Sequence, residues 1–189
     1  MPDPIYTRKG DRGETHNLAG KTIKKKSIDA RALGTIDELN AAMGMARASC
    51  DQPEIAERIV AYQRKLFRIG SAVASYPDFH NHDVTADDVA GMEAVIDRWA
   101  DEMPPLESFL LPGASVPEAS LHVARTVCRR AERELNDWLH AKLEQRQPSE
   151  NVGAALVDAL SFMNRLSDLL FTAARLANHR AGVDDDRIG

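Results

Sequence analysis

Between residues 35 and 178 the apolar side chains recur every third or fourth position, a period that admits helices and hardly any strand. Thr35-Ile36-Asp37-Glu38 has the S/T-x-x-E form of a capping box, and Ile36, Leu39, Met43 and Ala46 follow at helical spacing, so a first helix is expected from Thr35 to about Ser49. A second follows Pro53, with Ile55, Ile59, Tyr62, Leu66, Ile69 and Val73 on one side, and ends near Tyr76-Pro77. A third starts at a Thr85 cap, carries Val89, Met92, Val95, Ile96 and Trp99, and breaks at Pro104-Pro105. Pro117 suits the first turn of a fourth, which runs to about Leu143. The fifth begins near Ser149 or Asn151 and reaches about Asn178, with Leu156, Leu160, Met163, Leu166, Leu170 and Ala173 turned inward. Five helices with short breaks read as an all-α, up-and-down five-helix bundle. At 189 residues and 43% hydrophobic content the chain buries one core, so a single domain is expected.

Ahead of the bundle, residues 5–26 hold Gly10, Gly13 and Gly20 among polar residues, with one short extended piece at Ile5 to Thr7, and the whole of 1–34 reads as a glycine-punctuated loop. Arg8, Lys9, Arg12, Lys21, Lys24, Lys25 and Lys26 make it the most basic stretch of a chain whose net charge is −5. That overall charge gives no attraction for nucleic acid, so any anion site is local. Gly20-Lys21-Thr22 is not a phosphate-binding P-loop, because position 15 is threonine where that pattern needs glycine, and no strand leads in. The N-terminus lacks the apolar core of a signal peptide, no apolar run approaches the length of a membrane span, and Cys50 and Cys128 both fall in helices. A soluble cytoplasmic protein with reduced thiols is expected, ending in an acidic, disordered tail over 182–189.

Helix four carries the first chemical signal. Leu121, Ala124, Val127, Cys128, Ala131, Leu135 and Trp138 form its apolar stripe, and beside them Arg125, Arg129 and Glu132 share one face. Stacked arginines beside a carboxylate form either an anion clamp or a solvated face laced with ion pairs. On helix five Asn164, Asp168, Phe171 and Arg175 line up in the same way, though Asn and Phe are poor residues for a solvent face. Phe109-Leu110-Leu111 sits in the Pro-rich segment 104–117, either tucked into the bundle or forming the wall of a ligand pocket. Asp78, His80, His82 and Asp83 read as solvated loop and not as a metal site, and the Glu-x-x-His pairs of a di-metal bundle are absent from the sequence.

Five stretches, in order, carry a resemblance over nearly the whole chain: Tyr6-Thr7-Arg8-Lys9-Gly10-Asp11-Arg12-Gly13-Glu14-Thr15, Gly34-Thr35-Ile36-Asp37-Glu38-Leu39-Asn40, Phe109-Leu110-Leu111-Pro112-Gly113, Ala124 to Arg133, and Asn164 to Phe171. Together they resemble the PduO-type ATP:cob(I)alamin adenosyltransferases. The resemblance implies a ferritin-like, cobalamin adenosyltransferase-like bundle assembled as a homotrimer, with ATP and a reduced corrinoid in each cleft between subunits. It implies Mg²⁺ on the phosphates, transfer of the 5′-deoxyadenosyl group to cobalt and release of triphosphate. The implied partners are a corrinoid reductase and a B12-dependent mutase or dehydratase, with no nucleic acid and no membrane.

By the same resemblance Thr7, Arg8, Lys9, Gly10, Thr15, His16 and Lys25 belong to an N-terminal ATP loop, and Arg129, Arg130, Glu132 and Arg133 hold the polyphosphate. Asn164 closes the nucleotide site, Asp37 and Arg125 form a salt-bridged pair beside the corrinoid, and Phe109 and Phe171 face the corrin ring. Arg129, Asp37 and Arg125 are the residues implied in catalysis. This sequence departs from the family's pattern at Lys9, where threonine is usual, at Thr22 and Ile23, where arginines are usual, at Leu33, where tyrosine is common, and at Ala114, where a second glycine follows Pro112-Gly113. Departures in the ATP loop leave a rival reading open, a non-catalytic trimer that binds nucleotide or corrinoid as a carrier or sensor.

Overall fold

In the computed structural model of the chain, the residues described are 6, 8, 10–17, 20–76, 83–145 and 150–188, with side chains left out at 145 and 150–156. Ser27 is where extended chain turns into helix: its side-chain oxygen accepts the Ala30 N–H, and α1 runs over Ile28–Ser49 with Asp29 in its first turn. The capping box read at Thr35 is therefore corrected. Thr35 lies inside α1, where its hydroxyl donates to the carbonyls of Arg31 and Ala32, the back-bonding open to a threonine within a helix. Residues 28–34 escape a periodicity search because Ala30, Ala32 and Gly34 supply little apolar bulk.

A link of three residues returns the chain into α2 (Pro53–Ala74), which has proline in its first turn. α3 (Ala86–Asp101) starts from a capping box at Thr85, whose hydroxyl accepts the Asp88 N–H while the Asp88 carboxylate accepts the Thr85 N–H at 3.0 Å. α4 (Val116–Gln145) starts at Ser115, whose hydroxyl accepts the Glu118 N–H and donates to Asn178 Oδ1 at 2.6 Å. α5 (Glu150–Ala181) runs beyond the Asn178 end read from sequence. Its last turn closes on Gly182 at φ +67, with the Val183 N–H on the Asn178 carbonyl and the Gly182 N–H on that of His179, a Schellman ending.

α1 packs against α2 and α4, α4 against α5, and α5 against α3. One core joins them, with Trp99, Trp138, Phe162, Leu39, Met43, Ile55, Leu66 and Leu121 fully enclosed. The two tryptophans keep their N–H groups bonded, Trp138 to Asp29 at 2.9 Å and Trp99 to Glu54 at 3.0 Å. Each bond ties two helices, α4 to α1 and α3 to α2. Lys142 adds an ion pair to Asp29 at 2.7 Å, while Arg180 bridges Glu54 and Glu102 at the other seam.

Two segments differ from expectation. Part of the N-terminal loop is a small hairpin, β1 (Glu14–His16) antiparallel to β2 (Thr22–Lys24) with Thr15 opposite Ile23. Gly20 at φ +73 makes its turn, and the Asn17 side chain accepts the Lys21 N–H. Strands this short, with polar residues on both faces, leave no alternation to read. The acidic tail, expected to be disordered, lies on the α3–α4 loop: the Leu111 N–H donates to Asp186 O and the Ile188 N–H to Phe109 O. Asp185 explains the docking, since it accepts from Asn178 at 2.9 Å and lies 3.8 Å from Arg175.

The position of the α1 start is testable by urea denaturation. Ser27→Ala should cost about 1 kcal/mol as the loss of an N-cap, and Thr35→Ala should cost less than half of that. Equal losses would return the cap to Thr35.

Candidate functional site

Three groups of side chains stand out, on different parts of the surface. The first is an open recess of about 560 Å³ lined by Arg129, Glu132, Arg133, Glu134, Asn136 and Asp137 of α4 and by Leu160 and Asn164 of α5. Asn164 Nδ2 donates to Glu132 Oε1 at 2.9 Å across the seam, and Arg133 donates to the Arg129 carbonyl at 3.0 Å. Arg129 has no side-chain ion pair among the described residues, so its guanidinium is available to an incoming anion. Arg130, on the next face round, is held by Glu38 of α1. The sequence grouped Arg129 with Arg130; the helix turns them towards different neighbours.

The second group is the hairpin. Arg12, Gly13, Glu14, Lys24, Lys25 and Lys26 surround a notch of about 410 Å³. Lys25 donates its backbone N–H to Gly13 O at 2.8 Å, and a Cβ on Gly10 would lie 3.3 Å from Lys25 Nζ, so glycine there leaves room for the lysine. Arg8 adopts φ +58, with its guanidinium over the Tyr6 ring. Thr15 is half-buried opposite Ile23, and His16 contacts Thr22 Oγ1 at 3.3 Å. Thr7 and Lys9 lie outside the described residues, as do Asp78, His80 and His82; Asp83 faces Arg68 at 3.7 Å. No hydrogen bond or ion pair among the described residues joins the hairpin to the α4/α5 recess.

The third group lies at the start of α4. His122 meets Phe171 edge to face, with ring centroids 5.8 Å apart, and accepts a hydrogen bond from Arg125 Nε at 3.2 Å. Burial first and the Arg129 charge second lower the Arg125 pKa, which still leaves it a cation. Phe109 is 85% exposed on the adjoining loop, so it does not tuck into the bundle. That loop is anchored by Arg175, which donates to the Pro104 carbonyl at 2.7 Å, and by Gly113, whose N–H donates to Glu118 at 2.9 Å. Gly113 takes φ +136 while Ala114 has no positive φ, so alanine costs nothing there.

Asp37 and Arg125 form no ion pair within the chain. Asp37 instead lines an apolar recess of about 390 Å³ between α1 and α2, together with Leu33, Gly34, Asn40, Phe67 and Gly70. Neither thiol offers chemistry: burial raises both cysteine pKa values, and Cys128 donates to the Met163 carbonyl at 3.2 Å. Glu118 and His122 were missed in the sequence, although Ser115-Val116-Pro117-Glu118 repeats the S-x-x-E signal used elsewhere. Among the described residues no three His, Cys, Asp or Glu side chains cluster as a metal site would need, and no helix is long and apolar enough to cross a membrane.

Comparison with known proteins falls on one family. The model described as "Cobalamin adenosyltransferase" matches residues 5–177. The corrinoid adenosyltransferase of Bacillus subtilis strain 168 is 36% identical over 185 residues, covering 96% of this chain and 90% of that one. The human corrinoid adenosyltransferase MMAB is 34% identical over 186 residues, covering 94% and 70%. Among solved structures, a phenylalanine-to-alanine variant of the PduO-type ATP:corrinoid adenosyltransferase from Lactobacillus reuteri, complexed with cobalamin and ATP, superposes with TM-score 0.81 at 29% identity, covering 98% of this chain and 99% of that one. An arginine-to-lysine variant complexed with ATP gives TM-score 0.81 at 31% identity, covering 98% and 100%.

The different surroundings of the two arginines predict different losses. Titration with inorganic triphosphate should show Arg129→Ala weakening binding about tenfold or more, the worth of a charge-assisted contact, and Arg130→Ala weakening it about threefold at most. Equal losses would move the anion away from the α4/α5 recess.

Proposed function

The chain belongs to the cobalamin adenosyltransferase family, and we infer from that premise how its own residues carry the family's reaction, transfer of the 5′-deoxyadenosyl group of ATP to cob(I)alamin with release of triphosphate. The observation that supports this division of labour is the α4/α5 recess, where Arg129, Glu132, Arg133 and Asn164 converge and Arg129 makes no ion pair among the described residues.

Cobalt(I) brings its own electron pair, so the protein supplies no nucleophile. That pair forms the cobalt–carbon bond at C5′ as the C5′–O bond breaks, and its electrons leave on the triphosphate. The protein's work is to hold C5′ in line with cobalt and to stabilise the charge that builds on the leaving oxygen. Arg129 and Arg133 are suited to the phosphate oxygens, and Asn164 orients Glu132 beside them. The recess suits Mg²⁺ carried in with the nucleotide: one carboxylate, Glu132, and one amide oxygen, Asn164 Oδ1, are the few protein donors such an ion takes when phosphates and water fill the rest. Bound there, the ion would neutralise phosphate charge. Lys25 and the backbone N–H groups of the hairpin complete the nucleotide site. Phe109, exposed at the tip of an anchored loop, and Phe171 present aromatic faces to the corrin ring and exclude water and the lower ligand from cobalt.

The active form we propose is a homotrimer with each site shared between neighbouring subunits. Two observations support it: among the described residues no hydrogen bond or ion pair joins the hairpin to the recess of its own chain, and Asp37 and Arg125 form no ion pair with each other within one chain. Across a subunit boundary both pairs can meet. Free Cys50 and Cys128 favour a reducing compartment such as the cytoplasm. A corrinoid reductase would supply the cobalt(I) substrate, and a B12-dependent mutase or dehydratase would use the product.

Anaerobic incubation with ATP and chemically reduced cobalamin should yield alkylcobalamin, read by its absorbance; no product with a folded protein would count against catalysis. In the same assay, Asp37→Ala and Arg125→Ala should each raise the KM for corrinoid. Their double variant should be little worse than either single one, since removing one partner already strands the other. Additive losses would separate the two residues.

A further inference from the structure

Glu118 and His122 have no part in the scheme above, yet they sit one turn apart at the start of α4 with 3% and 4% of their surface exposed. A buried carboxylate and imidazole are costly unless their polar atoms are used. Glu118 Oε2 takes the Gly113 N–H at 2.9 Å, at the end of the loop that carries Phe109. His122 Nδ1 takes the Arg125 Nε–H at 3.2 Å. A guanidinium can only donate, so Nδ1 must hold a lone pair and the ring proton must sit on Nε2. Nε2 lies 3.0 Å from Glu118 Oε1, in contact with the carboxylate though not aligned as a hydrogen bond. The other face of the ring meets Phe171. One line of contacts therefore runs from Gly113 through Glu118 and His122 to Arg125, with Phe171 against its middle.

We propose that Glu118 and His122 are positioning residues for the corrinoid half of the site: the imidazole holds Arg125 by its Nε and leaves both terminal amino groups free, while the carboxylate holds the loop that presents Phe109. A core pair serving stability alone would satisfy itself within the core. This one reaches outward at both ends, to a half-buried arginine and to a loop backbone. The ring is neutral at pH 7, as the acceptor role of Nδ1 demands. Burial lowers its pKa and Arg125 pushes the same way, against the opposing charges of Glu118 and Asp185. A neutral ring beside Arg125 avoids a second cation next to the guanidinium, which an imidazolium would place there.

The assignment to corrinoid rests on the adenosyltransferase reading; the line of contacts does not, so two readouts separate them. Nitrogen NMR of the histidine-labelled protein at pH 7 should show His122 with Nε2 protonated and Nδ1 bare. A ring protonated at Nδ1 overturns the inference whatever the activity. In the anaerobic assay His122→Leu, which keeps bulk but loses the acceptor, should raise the KM for corrinoid about tenfold and leave the KM for ATP unchanged. His122→Asn, whose amide oxygen can stand near the Nδ1 position, should restore it to within about threefold of the parent. Should His122→Leu fail to fold, Glu118→Leu, which removes the acceptor of the Gly113 N–H, gives the same split between the two substrates. An unchanged corrinoid KM in the folded leucine variant, a parallel rise in both KM values, or no rescue by asparagine overturns the proposal. A parent enzyme with no turnover would instead remove the activity reading and leave the nitrogen shifts to decide the contacts.

Discussion

The sulfur of Cys128 lies 3.2 Å from the Met163 carbonyl, and that approach sets how close α4 stands to α5. Small buried side chains at Ala124, Cys128 and Ala131 allow the helix to come so near, and Leu121, Leu135 and Trp138 fix its rotation. One turn beyond Cys128, Glu132 reaches Asn164 at hydrogen-bond distance. Nearly two turns before it, His122 meets the Phe171 ring of α5. The recess and the aromatic end of the site are thus two consequences of one seam. A larger residue at 128 would push both apart, because cores absorb added volume by moving their walls.

Charge explains what the seam is for. The chain is acidic overall, with net charge −5, yet Arg125, Arg129 and Arg133 rise along one side of α4 and the hairpin lysines form a separate cationic patch. Most of the protein's other cations are used internally: Arg130 on Glu38, Arg180 on Glu54 and Glu102, Lys142 on Asp29, Lys65 on Asp88. Arg129 has no such partner among the described residues, and it lines the α4/α5 recess. Among the described residues two cationic groups fail to meet in one chain, and an aspartate and an arginine do likewise, which is the ground for the proposal that a neighbouring subunit completes the site.

Much of this was legible from residue spacing. The five helices, the stripe on α4 and the alignment of Asn164 with Phe171 all follow from a period of 3.6, because burial of one helix face is the strongest constraint the sequence carries. What spacing could not convey was anything decided by a single polar contact. Ser27 begins α1 eight residues before Thr35 because its hydroxyl meets the Ala30 N–H, a choice between two plausible caps that only the fold makes. The run Asp184-Asp185-Asp186 reads as a solvated tail until Asn178 and Arg175 are found beneath Asp185. Arg129 and Arg130, adjacent in sequence, separate because neighbouring helix positions point about 100° apart. Resemblance to a family named the candidate residues; it did not say which of them one chain brings together.

If catalytic halves lie on different chains, hairpin on one and α4/α5 recess on the next as proposed, subunit mixing tests it most directly. Lys25→Ala and Arg129→Ala proteins, each inactive alone, would be unfolded together, refolded as mixed oligomers and assayed anaerobically for alkylcobalamin. Shared sites predict that some interfaces regain both parental halves, so the mixture recovers a clear fraction of wild-type turnover. Mixed oligomers that form and stay inactive, or a dilute monomer with full activity, would contradict it.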